Sequence, residues 1–126
     1  MGFWIFMTSM DLLVPLIMMG FGSRFQRHAP KEINGFYGYR TSRSVKNRDT
    51  WVYAHHYSGR LFFQSGLVML LLAVAISLFI LGKGETIVAI VGCSVIVLQI
   101  IPMLVVIFFT EKALKKIFDD NGNRRI

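Results

Sequence analysis

The chain has 126 residues, 54% of them apolar and only 17% charged, against roughly 25% charged in an ordinary soluble domain, which excludes that class. A formal net charge of +7 would suit nucleic acid, but zinc-finger spacing and aromatic RNP patterns are absent, so no direct nucleic-acid partner is expected. The single cysteine, Cys93, permits no intrachain disulfide and no zinc-ligand pair, and is expected to pack as a small residue.

In chain order, the first apolar run covers residues 2–22 and carries one charge, Asp11. A cleaved leader would need a basic start, a short apolar centre and a small-x-small site. None is present, so this run is read as a retained membrane span. A carboxylate at mid-bilayer depth costs at least about 2.5–3.5 kcal/mol, so it turns towards a partner or a polar cavity. Thr8, Asp11, Pro15 and Gly22 fall on one helical stripe, which points Asp11 into the bundle, with Gln99 and Pro102 of the third run as candidates to face it. Two roles are open for Asp11. It can be a structural pin bonded to Gln99 or a backbone carbonyl, or it can bind a proton or a ligand.

The segment 23–60 follows. Gly35 and Gly38 allow bends, Phe36, Tyr37 and Tyr39 suit the headgroup level, and Arg40, Arg43, Lys46 and Arg48 suit lipid phosphates. Asn47 or Asp49 can cap a helix that runs from Thr50 into the next span. Trp51, His55 and Ser58 would share one stripe, with Tyr53, Tyr57 and Arg60 on another. Trp51 has two readings: a member of an interfacial aromatic belt, or a pin that folds residues 38–41 back onto the bundle.

The second span, residues 61–81, and the third, residues 86–109, contain no charge. At a rise of about 1.5 Å per residue each run covers a hydrocarbon core of roughly 30 Å. Continuous apolar runs exclude a β-barrel. Gly66, Ala73 and Ser77 on one span and Ala89, Gly92 and Cys93 on the other are expected to pack spans two and three as a hairpin, or to support a homo-oligomer. All of the 14 Lys and Arg residues except Lys83 lie in the first loop or in the tail, residues 110–126. The positive-inside rule therefore places the N-terminus outside and the loop and tail in the cytoplasm. The expected architecture is one all-α integral membrane domain, residues 1–126, with three transmembrane helices and an ordered cytoplasmic loop, multi-pass in the cell membrane and in contact with its lipids.

Enzyme signatures are missing: no HExxH, no GxSxG and no glycine-rich phosphate loop. His28, His55 and His56 are the only histidines, and adjacent His55 and His56 diverge by about 100° on a helix. No enzyme, metal or cofactor is expected.

Asn34, Gly38-x-Arg40-Thr41, Ser44, Asn47 and then Trp51 with Ala54 and His55, following one span and opening another, resemble the signature of the SdpI family. The resemblance covers roughly residues 30–110. It implies a bacterial membrane protein giving immunity to a membrane-active toxin peptide; the named, longer member also captures a transcriptional repressor at the membrane. Asn34, Gly38, Arg40, Thr41, Asn47, Trp51 and His55 are thus the candidate partner-binding residues, and the toxin peptide and a cytoplasmic regulator are the candidate partners. The alternative from another class is a small oligomeric transporter in which Asp11 binds a cation or proton.

Overall fold

The structure is a computed structural model that describes residues 2–31, 33 and 38–125. Three α-helices follow one another: α1 (Gly2–Phe25), α2 (Arg48–Phe79) and α3 (Glu85–Ile117). Each is long and apolar enough to cross a membrane. The described residues hold no strand, only an isolated antiparallel bridge between Phe118 and Arg124. With 32 residues, α2 extends roughly 48 Å, well beyond a hydrocarbon core of about 30 Å. Its first turns therefore stand clear of the span and carry the loop.

The helix ends follow from local chemistry. Asn47 closes a reciprocal capping box: its side chain accepts from the Thr50 amide, and its own amide donates to Thr50 Oγ1. The helix accordingly starts at Arg48, two residues before the expected Thr50, and Asp49 is not the cap. At the other end Gly82 and Gly84 take positive φ angles of 80° and 98°, which turns the chain tightly from α2 into α3.

Large apolar side chains such as Leu71, Phe79, Ile90, Val97 and Phe108 face outwards. Asp11, Ser77, Gln99 and Thr110 are buried inside. That distribution suits a lipid surround, where apolar area gives no preference for the interior and helices are held by close packing and hydrogen bonds.

α2 and α3 pack on one another as an antiparallel hairpin, but Gly66, Ser77 and Gly92, expected to join those two spans, meet α1 instead. A Cβ on Gly59 would stand 2.5 Å from the Gln26 nitrogen and 2.9 Å from the Gly22 oxygen, and one on Gly66 would stand 2.9 Å from the Pro15 oxygen. Gly92 of α3 abuts Met7 of α1. Trp4 of α1 donates its indole N–H to the Ser77 oxygen at 2.9 Å. Cys93 is exposed rather than packed, because Gly92 takes the contact face beside it.

Candidate functional site

Residues 38–55 form a compact structure laid over one end of the bundle, built from hydroxyl and amide side chains spaced three apart. Thr41 and Ser44 bond reciprocally: the Thr41 amide donates to Ser44 Oγ at 2.8 Å and the Ser44 amide to Thr41 Oγ1 at 3.2 Å. Ser44, fully buried, donates its hydroxyl to the Tyr39 oxygen at 3.0 Å. Thr50 then donates to the Ser44 oxygen at 3.0 Å, and the Asn47 amide side chain donates to the Gly122 oxygen at 2.7 Å. Thr41, Ser44, Asn47 and Thr50 thus form one ladder that satisfies the polar backbone of a turn buried against protein.

Beneath the ladder lie Trp51 and His55, both with no exposed surface. The Trp51 indole N–H donates to the Pro30 oxygen at 3.0 Å. Its ring centroid is 4.2 Å from that of His55, which also meets Phe25 of α1 edge-on at 5.0 Å. The Tyr39 amide donates to His55 Nε2 at 2.9 Å. Nε2 is therefore the acceptor nitrogen, so Nδ1 bears the hydrogen and donates to the Trp51 oxygen at 2.8 Å. A neutral imidazole with both nitrogens engaged ties loop, α2 and α1 together. Gly38 sits against this ring with φ +100°, and a Cβ there would stand 2.5 Å from His55 Nε2. Of the two readings of Trp51, the buried position under the loop is the observed one and the aromatic belt is not.

Tyr39 is buried as well, which corrects its expected place at the headgroups. Its hydroxyl donates to Glu111 Oε1 of α3 at 2.8 Å. Burial first, then the Glu111 bond, push its ionisation well above the ordinary tyrosine range. Among the cations expected at lipid phosphates, Arg43 and Arg48 are engaged by the protein instead. Arg43 lies 3.4 Å from Asp120 and 4.0 Å from Glu111, and Arg48 donates to the Pro30 and Lys31 oxygens. The tail folds back over the same end: buried Phe118 packs with Tyr39, Ala54 and Leu114, and Arg124 pairs with Asp49 through two bonds of 2.8 Å. The Arg124 pair is exposed and contributes little to stability.

The structure therefore brings together Gly38, Thr41, Asn47, Trp51 and His55, with Arg40 exposed at the edge of the cluster. Asn34 lies outside the described residues. Sequence reasoning did not find Pro30, Thr50, Glu111 or Phe118 as members. The three-residue spacing from Thr41 to Thr50 was the available signal for the ladder; for Glu111 and Phe118 only the fold supplies one.

Asp11 and Gln99 form a separate pair deep in the bundle. Gln99 Nε2 donates to the backbone oxygen of Asp11 at 2.8 Å. Pro15, four residues on, has no N–H to offer that oxygen, so the Gln99 amide replaces the missing helical donor. The pin is thus made by the Asp11 main chain, and Asp11 Oδ1 and Gln99 Oε1 stay buried without a hydrogen-bond partner among the described residues. From Phe25, which touches His55, back to Asp11 is roughly 21 Å of helix, so His55 and Asp11 do not converge. Among the described residues, no three metal-ligating side chains cluster.

A family model for the SdpI/YfhL protein family matches residues 31–110. YfhL of Bacillus subtilis (strain 168), a protein described as uncharacterized, is 34% identical over 100 residues, covering 76% of this chain and 77% of its own length. The chain belongs to the SdpI/YfhL family. No solved structure matches it. The SdpI/YfhL match contains the whole ladder, Trp51 and His55, so the matched segment carries the loop, α2 and the greater part of α3. Membership supports a multi-pass membrane protein of the immunity type.

Proposed function

We propose that this SdpI/YfhL protein protects its own cell from a membrane-active toxin peptide by binding rather than by catalysis, with the loop and tail on the cytoplasmic side. The observation that carries the reading is the burial of Trp51 and His55 under the loop. It gives residues 38–50 a fixed shape, as a recognition surface requires and a tether does not. A non-catalytic role is supported by His55, whose two nitrogens are both committed to backbone groups and so have no capacity left for proton transfer to a substrate.

The test is survival of a toxin-sensitive bacterium expressing the chain when challenged with the sporulation-delaying toxin peptide after which the family is named. Protection is expected, with loss of protection in Trp51→Ala at unchanged membrane levels. Wild-type protein that reaches the membrane and gives no protection would overturn the proposal. Orientation is tested separately in a Cys93→Ser background: an impermeant thiol reagent should label Lys83→Cys and spare Arg43→Cys in intact cells, and the reverse would invert the topology.

A second reading, a transporter of protons or small cations, is favoured by the two buried oxygens of Asp11 and Gln99 that lack partners. Asp11→Asn discriminates: it abolishes transport on this reading and spares toxin protection on the first.

A further inference from the structure

A groove of about 410 Å³ opens where α1 and α3 diverge beneath the loop. Its walls are Ile17 and Phe21 of α1 and Met103 and Ile107 of α3, and its loop end is closed by Arg40 and Thr41. The lining is therefore apolar along its length and polar at one end. Ser58 of α2 contributes to the floor at that polar end. It is fully buried, and its hydroxyl finds no hydrogen-bond partner among the described residues. An unbonded buried hydroxyl carries a desolvation penalty of about 1–3 kcal/mol, which an acceptor brought into the groove would relieve.

Exposed cations of the described residues lie towards the mouth. Arg24 stands on the same helical stripe as Ile17 and Phe21, seven and three residues further on. Arg24, Arg27 and Lys31 are exposed, and among the described residues none of them is in an ion pair. Among the described residues, the acids Glu111 and Asp120 are engaged by Arg43 and Asp49 by Arg124.

We propose that the groove is a binding site for one acyl chain of an anionic phospholipid, whose phosphate is held at the mouth by Arg24 and the loop residues 40–41. Length, and the polarity confined to one end, favour this occupant over a helical peptide. From Phe25 to Ile17 the groove follows α1 for roughly 12 Å, close to the ~15 Å depth of one leaflet, half a hydrocarbon core of about 30 Å. An extended acyl chain from the leaflet on the loop side fits in both length and volume, and its ester or phosphate oxygens supply the acceptor that Ser58 lacks.

The experiment is native mass spectrometry of the full chain released from nanodiscs of equimolar phosphatidylglycerol and phosphatidylcholine. One phosphatidylglycerol per protein should be retained in preference to phosphatidylcholine. Met103→Trp, which fills the groove from α3, should abolish that retention, and Ile17→Trp, from the opposite wall, should do the same if the first variant does not fold. Arg24→Gln should lower the preference about fivefold, the factor that one cation near an anionic surface is worth, while leaving the thermal midpoint unchanged. Equal retention of both lipids, or phosphatidylglycerol held as firmly by both tryptophan variants as by wild type, would overturn the site. Displacement of the lipid by a helical toxin peptide at equimolar ratio would overturn it too, since the groove would then be the peptide's site rather than the lipid's.

Discussion

Gly38→Ala tests whether the loop is fixed by its fit to His55. A Cβ at this position meets His55 Nε2 at 2.5 Å while φ stays near +100°, and it meets the very atom that accepts the Tyr39 amide. Placing an L-residue at such a positive φ costs about 1–2 kcal/mol, and leaving a buried donor and acceptor unmatched adds about 1–3 kcal/mol. The loop should therefore lose roughly 2–5 kcal/mol of local stability. When opening precedes cleavage, even the lower figure makes tryptic cutting at Arg40 and Arg43 about thirtyfold faster. The assay is limited proteolysis of protein in nanodiscs, read at those two bonds, with helix content followed alongside. Combination with His55→Ala separates the two costs, because removing the ring removes the clash and leaves the backbone strain. The double variant should then be less sensitive than the sum of the single variants. Wild-type cleavage rates in Gly38→Ala, or strict additivity in the cycle, would refute the contact.

Three further outcomes follow from the same end of the molecule. Trp51→Ala should expose Arg40 and Arg43 to trypsin without reducing membrane insertion, since the indole bonds to Pro30 and packs on His55 but lies outside the apolar runs; unchanged resistance would show that the loop is ordered by other contacts. Tyr39 is harder to ionise in the folded chain than its ordinary value of 10.0, so the folded state holds a proton that the unfolded state releases; its stabilising contribution is complete below pH 10 and declines above it. Thermal midpoints of wild type should fall in that alkaline range, and those of Tyr39→Phe should fall less. Asn47→Ala removes the side-chain half of the capping box, the acceptor of the Thr50 amide, and the bond to Gly122, and should lower stability by about 1–2 kcal/mol in a chemical melt.

The three helices were legible because lipid imposes a simple requirement: a long apolar run whose backbone is satisfied within itself. The burial of Asp11 was legible too, since a charge in such a run has to turn inwards. Its partner group was not. Predicting that Gln99 bonds the Asp11 main chain requires noticing that Pro15 withdraws the donor four residues on. The partner expected for Gly66 and Gly92 was wrong for a related reason: small residues announce a close approach without saying to which helix. Tyr39 and Arg43 were expected at the membrane surface because their side chains suit it. Glu111, which captures both, lies beyond the third apolar run on a turn of α3 that only the fold carries back to the loop.

Loop and bundle depend on one another through α1, which precedes the residues matched by the family. Gly59, Gly66 and Gly92 lie inside the matched segment, yet each has its close neighbour on α1. At Gly59 and Gly66 those neighbours include backbone atoms, which cannot rotate away as a side-chain end can. In lipid, where apolar area gives no drive to associate, such approaches and the Gln99 bond are what hold α1 in place. Once seated, α1 presents Phe25 to the edge of His55, and His55 in turn receives the Tyr39 amide. The order of the loop therefore begins with glycines buried in the spans, and the matched segment needs a helix packed at the position of α1 for its own motif to take shape.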